Sequence, residues 1–128
     1  MRLLLDTTAF LWWLAGDERL SARATRAIGN RANDVYLSVA SAWEIVVKEA
    51  SGKLTLPSRP EVLIPEQIAE NGFVPLPVQL AHVLGAGTLP EIHRDPFDRL
   101  LVAQAIAEGL KLVSADENIR RYAIRVIW

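Results

Sequence analysis

Residues 1–14 read MRLLLDTTAFLWWL, and the fold turns on how the aspartate in that stretch is understood. Leu3, Leu4 and Leu5 form a short unbroken apolar run, the pattern of a strand covered on both faces as in a parallel sheet. Directly after it, Thr8 to Ala15 places Phe10, Leu11, Trp13 and Leu14 at helical spacing, and Gly16 can close that helix. Asp6 stands at the junction. An acid there is either an Asx-turn or N-cap for the helix, or the floor of a site.

The same alternation runs to the other end of the chain. Ser21 caps a helix carrying Ala24, Ala27 and Ile28. "VYLS" (35–38) is a strand, and Ser38 or Ser41 caps the helix of Trp43, Ile45 and Val46, which Gly52 ends. "KLTLPSRP" (53–60) is a connector. "PEVLIPEQIAENG" (60–72) reads as a helix made irregular by Pro65, "FVPLP" (73–77) as a short strand and "VQLAHVLGAG" (78–87) as a short helix. A loop then leads into the strongest helical pattern, with Pro96 in its first turn and Gly109 after it. "KLVSAD" (111–116) and "RVIW" (125–128) are strands on either side of the helical turn "ENIRRYA" (117–123). Strands alternating with helices predict an α/β domain with a mostly parallel sheet covered on both faces.

The totals agree with one domain spanning 1–128. Of 128 residues, 51% are hydrophobic and 23% charged, a compact rather than disordered composition. The net charge of -1 supplies no global field for nucleic acid, so such a partner needs a local basic patch or a bound cation. With no cysteine, disulfides, thiolate nucleophiles and cysteine-ligated zinc are excluded. Asp6 interrupts the opening apolar run, and Asp17, Glu18 and Arg19 stand where a signal peptidase site belongs. A cytoplasmic protein is the expectation.

Ligands of open parallel sheets bind beyond the carboxyl ends of the strands. Four acids belong to that end: Asp6 after the first strand, Glu44 in the helix after "VYLS", Asp98 in the first turn of the long helix and Asp116 just past "KLVS". Four carboxylates in one pocket either protonate or hold a cation, because two unit charges 4 Å apart repel by about 4 kcal/mol at an effective dielectric of 20. Oxygen donors favour a hard divalent ion such as Mg²⁺ or Mn²⁺, which suits phosphodiester hydrolysis. Each acid also has a purely structural reading. Asp6 and Asp116 serve as caps, Glu44 pairs with Lys48 at i,i+4, and Asp98 with Asp95 and Pro96 imitates a capping box in which Asp95 is the N-cap.

The motifs "LLLDTTAFLWWL", "SAWEIVVKEASGKLTLP", "HRDPFDRLLVAQA" and "LVSAD", in this order, resemble the four acidic motifs of PIN-domain ribonucleases, specifically VapC-type toxins of toxin–antitoxin pairs. The resemblance covers nearly the whole chain. It implies a three-layer α/β/α sandwich with a five-strand parallel sheet in the order 3-2-1-4-5, and Asp6, Glu44, Asp98 and Asp116 arranged around Mg²⁺ or Mn²⁺. It implies an endoribonuclease that hydrolyses RNA through a metal-activated water, a cognate antitoxin that inserts a basic side chain into the acidic pocket, and a homodimer. Thr7 and Ser114 are the hydroxyls expected to steady the carboxylates. Lys48, Lys53, Arg94 and Arg99 flank the motifs and are candidates for RNA phosphates. His93 is read as structural or solvated. Trp12 and Trp13, adjacent on one helix, do not easily share one core, so one of them covers a loop or an interface.

Three other readings compete. A haloacid-dehalogenase-like phosphatase needs a second aspartate where Thr8 stands, and a receiver domain needs an acidic pair and a late lysine that "KLVSAD" does not offer. A non-catalytic PIN-fold binding module reduces the acids to caps and surface pairs, and retention of all four argues against it.

Overall fold

The opening leucines are completely buried and alternate across the sheet: Leu3 and Leu5 enter one core cluster, Leu4 the other. Each contributes roughly 1.5–3 kcal/mol relative to an exposed side chain. In the computed structural model, which describes residues 1–128, they form β1 (Arg2–Leu5). The chain continues through α1 (Thr7–Ala15), α2 (Ala22–Gly29), β2 (Asp34–Ser38), α3 (Val39–Ala50), α4 (Pro60–Asn71) and β3 (Val74–Leu76). It then passes through α5 (Leu80–Gly87), α6 (Pro96–Glu108), β4 (Lys111–Val113), a single 3-10 turn at Ile119–Arg121, and β5 (Val126–Ile127).

All strand pairs are parallel, in the order β3-β2-β1-β4-β5. One face of the sheet packs on α1, α2 and α4 through Phe10, Ala24, Ile28 and Ile64. The other face packs on α6 through Leu101, Val102 and Ala105. α3 straddles the two layers, with Ile45 in the first cluster and Ala40 in the second. The expected three-layer sandwich and strand order are both present.

Local chemistry explains the element ends. Gly16 closes α1 at φ 61, donating its N–H to the Trp13 carbonyl, and Gly109 closes α6 at φ 66, a left-handed conformation that glycine adopts without steric cost. Ser38, not Ser41, caps α3 by accepting the Ala40 N–H at 3.0 Å. Pro75 is tolerated because β3 is an edge strand. The C-terminal strands are shorter than the apolar runs suggest: β4 ends at Val113 and β5 holds only two residues.

Trp12 and Trp13 both pack at the edge of the first core cluster and take different partners there. Trp12 packs on Trp128 at 5.8 Å between ring centroids and carries the Arg19 guanidinium over its face at 4.7 Å. Trp13 donates its indole N–H to Asn71 at 3.0 Å.

Candidate metal centre

Because β1 and β4 are neighbours, with Leu5 opposite Val113, the residues that follow them emerge side by side. Asp6 donates its backbone N–H to the Val113 carbonyl at 3.0 Å. Its side chain accepts the Ala9 N–H at 2.7 Å, so it is the N-cap of α1 as well as a buried acid, 5% exposed. The two readings of this residue are compatible. Burial pushes its carboxyl up from 3.8 to about 6, with Asp116 and Glu44 adding repulsion, while the Ser114 hydroxyl and the Ala9 amide hold it lower than burial alone would.

Glu44 is 4% exposed. Thr7 donates to its Oε1 at 2.6 Å and shares a second hydrogen bond with Ser41 at 2.9 Å. Lys48 pairs with Oε2 from the next turn of α3. The i,i+4 pair expected from the sequence therefore exists, but on a carboxylate turned inward rather than on a solvated face. Bonding to Glu44 in turn raises the Lys48 ammonium pKa.

Asp95 caps α6, accepting the Phe97 and Asp98 N–H groups at 2.8 and 3.2 Å. That leaves the Asp98 carboxylate free of capping duty. Desolvation, then repulsion from Asp95 and Asp6, lifts it to about 7 against an opposing pull from His93, with Glu44 adding to the rise. Asp116 accepts the Asn118 N–H at 2.8 Å, while its own N–H donates to Ser114 at 3.0 Å. Ser114 thus touches two of the four acids, and Thr7 a third.

His93, read from the sequence as structural or solvated, lies inside this cluster. Its Nε2 is 2.9 Å from Asp116 Oδ2 and 3.1 Å from Asp98 Oδ2. Its Nδ1 accepts the Asp95 N–H at 3.2 Å, which places the proton of a neutral ring on Nε2, pointing at the two carboxylates. Its backbone N–H donates to the Tyr122 hydroxyl at 2.9 Å. The available signal was its position two residues before the N-cap of α6, from where the loop folds back over the first helical turn.

Of the four basic candidates, Arg99 is engaged elsewhere, a correction to the sequence expectation, and Lys48 is held within the acidic cluster. Arg99 donates to the carbonyls of Ala86, Leu89, Pro90 and His93, clamping the 86–93 segment rather than facing a phosphate. Lys48 is bonded to Glu44. Arg94 and Lys53 are exposed, and Lys53 lies beyond the C-terminal end of α3.

The donors fit a hard divalent cation. Carboxylate oxygens dominate the cluster, burial and neighbouring acids make Asp6 and Asp98 hold protons tightly, and the ligand atoms of His93, Asp98 and Asp116 lie within 4.8 Å of one another.

Known proteins resemble this chain in sequence and fold. The PIN domain family model matches residues 3–125. Ribonuclease VapC22 of Mycobacterium tuberculosis is 30% identical over 123 residues, covering 93% of this chain and 90% of that protein. Among solved structures, VapBC2 from Rickettsia felis bound to a promoter DNA fragment superposes with a TM-score of 0.70 at 14% identity, covering 98% of this chain and 97% of that one. DNA-bound VapBC from Salmonella typhimurium gives 0.69 at 18% identity, covering 98% and 96%. At these identities the solved structures speak for the fold alone, whereas the family model and the curated relative speak for kinship. By topology, motif order and sequence, the chain belongs to the PIN-domain family, with the VapC ribonucleases as its relatives.

Proposed function

We propose that the chain is an endoribonuclease that hydrolyses RNA phosphodiester bonds with Mg²⁺ or Mn²⁺ held by Asp6 and Asp98, with Glu44 and Asp116 completing the set. The observation that carries this reading is the convergence of four carboxylates at one end of the sheet, two of them with strongly raised proton affinity. When bound, the ion neutralises the scissile phosphate and acidifies a water. The chain's own groups prepare the place. Thr7 fixes the rotamer of Glu44, Ser114 steadies Asp6 and Asp116, and the Asp95 cap keeps Asp98 available. Water adds across the bond to the 3′ oxygen, leaving a 5′-phosphate and a 3′-hydroxyl.

We assign it the toxin role in a toxin–antitoxin pair, supported by kinship with VapC22 and by fold neighbours solved as toxin–antitoxin complexes. Self-association is supported by apolar side chains left exposed at helical spacing on α3 (Val39, Trp43, Val46, Val47) and on α5 (Leu80, Val83, Leu84).

The test is RNA cleavage by the purified chain with Mg²⁺, with Mn²⁺ and with EDTA, alongside Asp98→Asn. Metal-dependent cutting that the variant lacks supports the reading. A folded chain that neither cuts RNA nor binds metal is a PIN-fold binding module instead.

A further inference from the structure

At the acidic end Lys48 and Arg99 are bonded internally, and Arg94 is left exposed beside the carboxylates. A larger group of unpaired cations lies at the opposite end of the sheet. There Arg23 and Arg26 project from α2 three residues apart, Lys111 opens β4 and Arg125 precedes β5. With Asn30 and Asn33 they line a recess of about 480 Å³. A second recess of about 300 Å³ shares Arg23 with the first and adds Arg120. No acid lines either recess, and none of these five basic side chains is in an ion pair. In a chain with a net charge of -1 this is a local concentration of uncompensated positive charge.

The cluster also connects to the acidic end. From Asp116 the chain runs through the 3-10 turn, which carries Arg120 and Arg121, to Arg125 and β5, an edge strand of the sheet. Cations therefore follow one edge of the molecule from the carboxylates to the recess.

We propose that this recess and Arg120 form a phosphate-binding track for RNA, holding the strand along the β5 edge while its scissile bond lies at the carboxylates. The inference rests on the ribonuclease reading. Four of the five cations are arginines, whose guanidinium forks match phosphate oxygens in pairs. The larger recess carries asparagine amides and no aromatic anchor of the kind a protein partner uses. The two ends are separated by at least the length of β1, about 13 Å for four residues. A long or folded RNA reaches both, and a very short oligonucleotide reaches only one.

The experiment is binding of a labelled RNA hairpin to the full chain in EDTA, as a function of salt, for the wild type, Arg23→Gln/Arg26→Gln and Arg125→Gln. A thermal melt of each variant checks the fold. The double variant is expected to weaken hairpin binding on the order of tenfold and to lower the salt slope by about one for each phosphate no longer neutralised. Metal-dependent cleavage of a very short oligonucleotide stays unchanged. Folded variants with wild-type affinity and salt slope overturn the proposal, as does a poly-glutamate peptide that binds the recess more tightly than RNA does. Because binding is read without metal, the two readings fail separately. A wild type that binds the hairpin through these arginines but never cuts it removes the nuclease assignment and leaves the track. One that cuts normally with unchanged binding in the variants removes the track alone.

Discussion

The two ends of one parallel sheet have opposite electrostatic characters. At the carboxyl end, α1, α3 and α6 begin, and Asp6, Glu44 and Asp98 on their N-terminal halves or caps gather with Asp116, which follows β4. At the amino end, α2 finishes and Arg23, Arg26, Lys111 and Arg125 surround a recess. Burial then separates the two ends. Asp6 and Glu44 are almost wholly out of water, and for Asp6 that loss of solvation, with repulsion from neighbouring acids added, appears as raised proton affinity. The arginines are exposed, so their repulsion is screened and appears only as long-range attraction for anions. The same kind of charge cluster is thus a tight centre when desolvated and a salt-sensitive surface when solvated.

The strongest way to break this contrast is to neutralise the buried end. Asp98→Asn, or Asp6→Asn, which keeps an N-cap group for Ala9, is expected to lower RNA cleavage by more than ~100-fold, beyond what losing a supporting outer group costs. Cleavage assays that show near-wild-type rates for either variant would remove that residue from the centre.

Next in size is the pH response without metal. The folded chain binds the Asp6 and Asp98 protons more tightly than the usual 3.8, at about 6 and about 7. Their contribution to stability is therefore complete below about pH 4 and is lost as pH rises through 6 and 7. Thermal melts in EDTA should show stability falling between about pH 4 and pH 7, by on the order of 3 kcal/mol from Asp6 alone. Added Mg²⁺ or Mn²⁺ should restore it at pH 8, and Asp98→Asn should flatten the profile. A metal-free chain most stable at pH 8 would contradict the buried-acid reading.

A smaller effect is expected from Thr7→Val, which leaves buried Glu44 short of its donor. Denaturation should show a loss of about 1–3 kcal/mol, with activity down about 10–100-fold at most.

The smallest effect sharpens the role of His93. Its Nε2–H occupies the space between Asp98 and Asp116, so a cation has to displace it. His93→Ala should tighten Mn²⁺ binding on the order of tenfold by calorimetry. Weaker binding would make His93 a ligand instead.

The sequence made the four acids, the βα alternation and the N-cap of α6 legible, because each depends on residues adjacent in the chain. It failed where a residue's partner is remote. Arg99 reads as a cation beside an acidic motif, yet its guanidinium is turned to carbonyls 6 to 13 residues earlier. His93 reads as a loop residue, yet it meets an acid 23 residues away. Gln104 reads as one more residue of a helix, yet it is buried, accepts from Ser38 at 2.5 Å and donates to the Pro77 carbonyl at 3.2 Å, tying α6 to the ends of β2 and β3.

By itself, then, the sequence determined the alternation of elements, the places where helices begin, and the identity of the acids with their order along the chain, since hydrophobic period and capping chemistry act over a few residues. Only the tertiary structure decided which charges lose water and which meet. The neighbouring of β1 and β4 brings Asp6 beside Asp116, and α3 turns Glu44 inward toward Thr7. The joining of α2 with the β4–β5 edge collects the arginines. Desolvation and pairing depend on what packs against a group, which neighbouring residues in the chain do not specify.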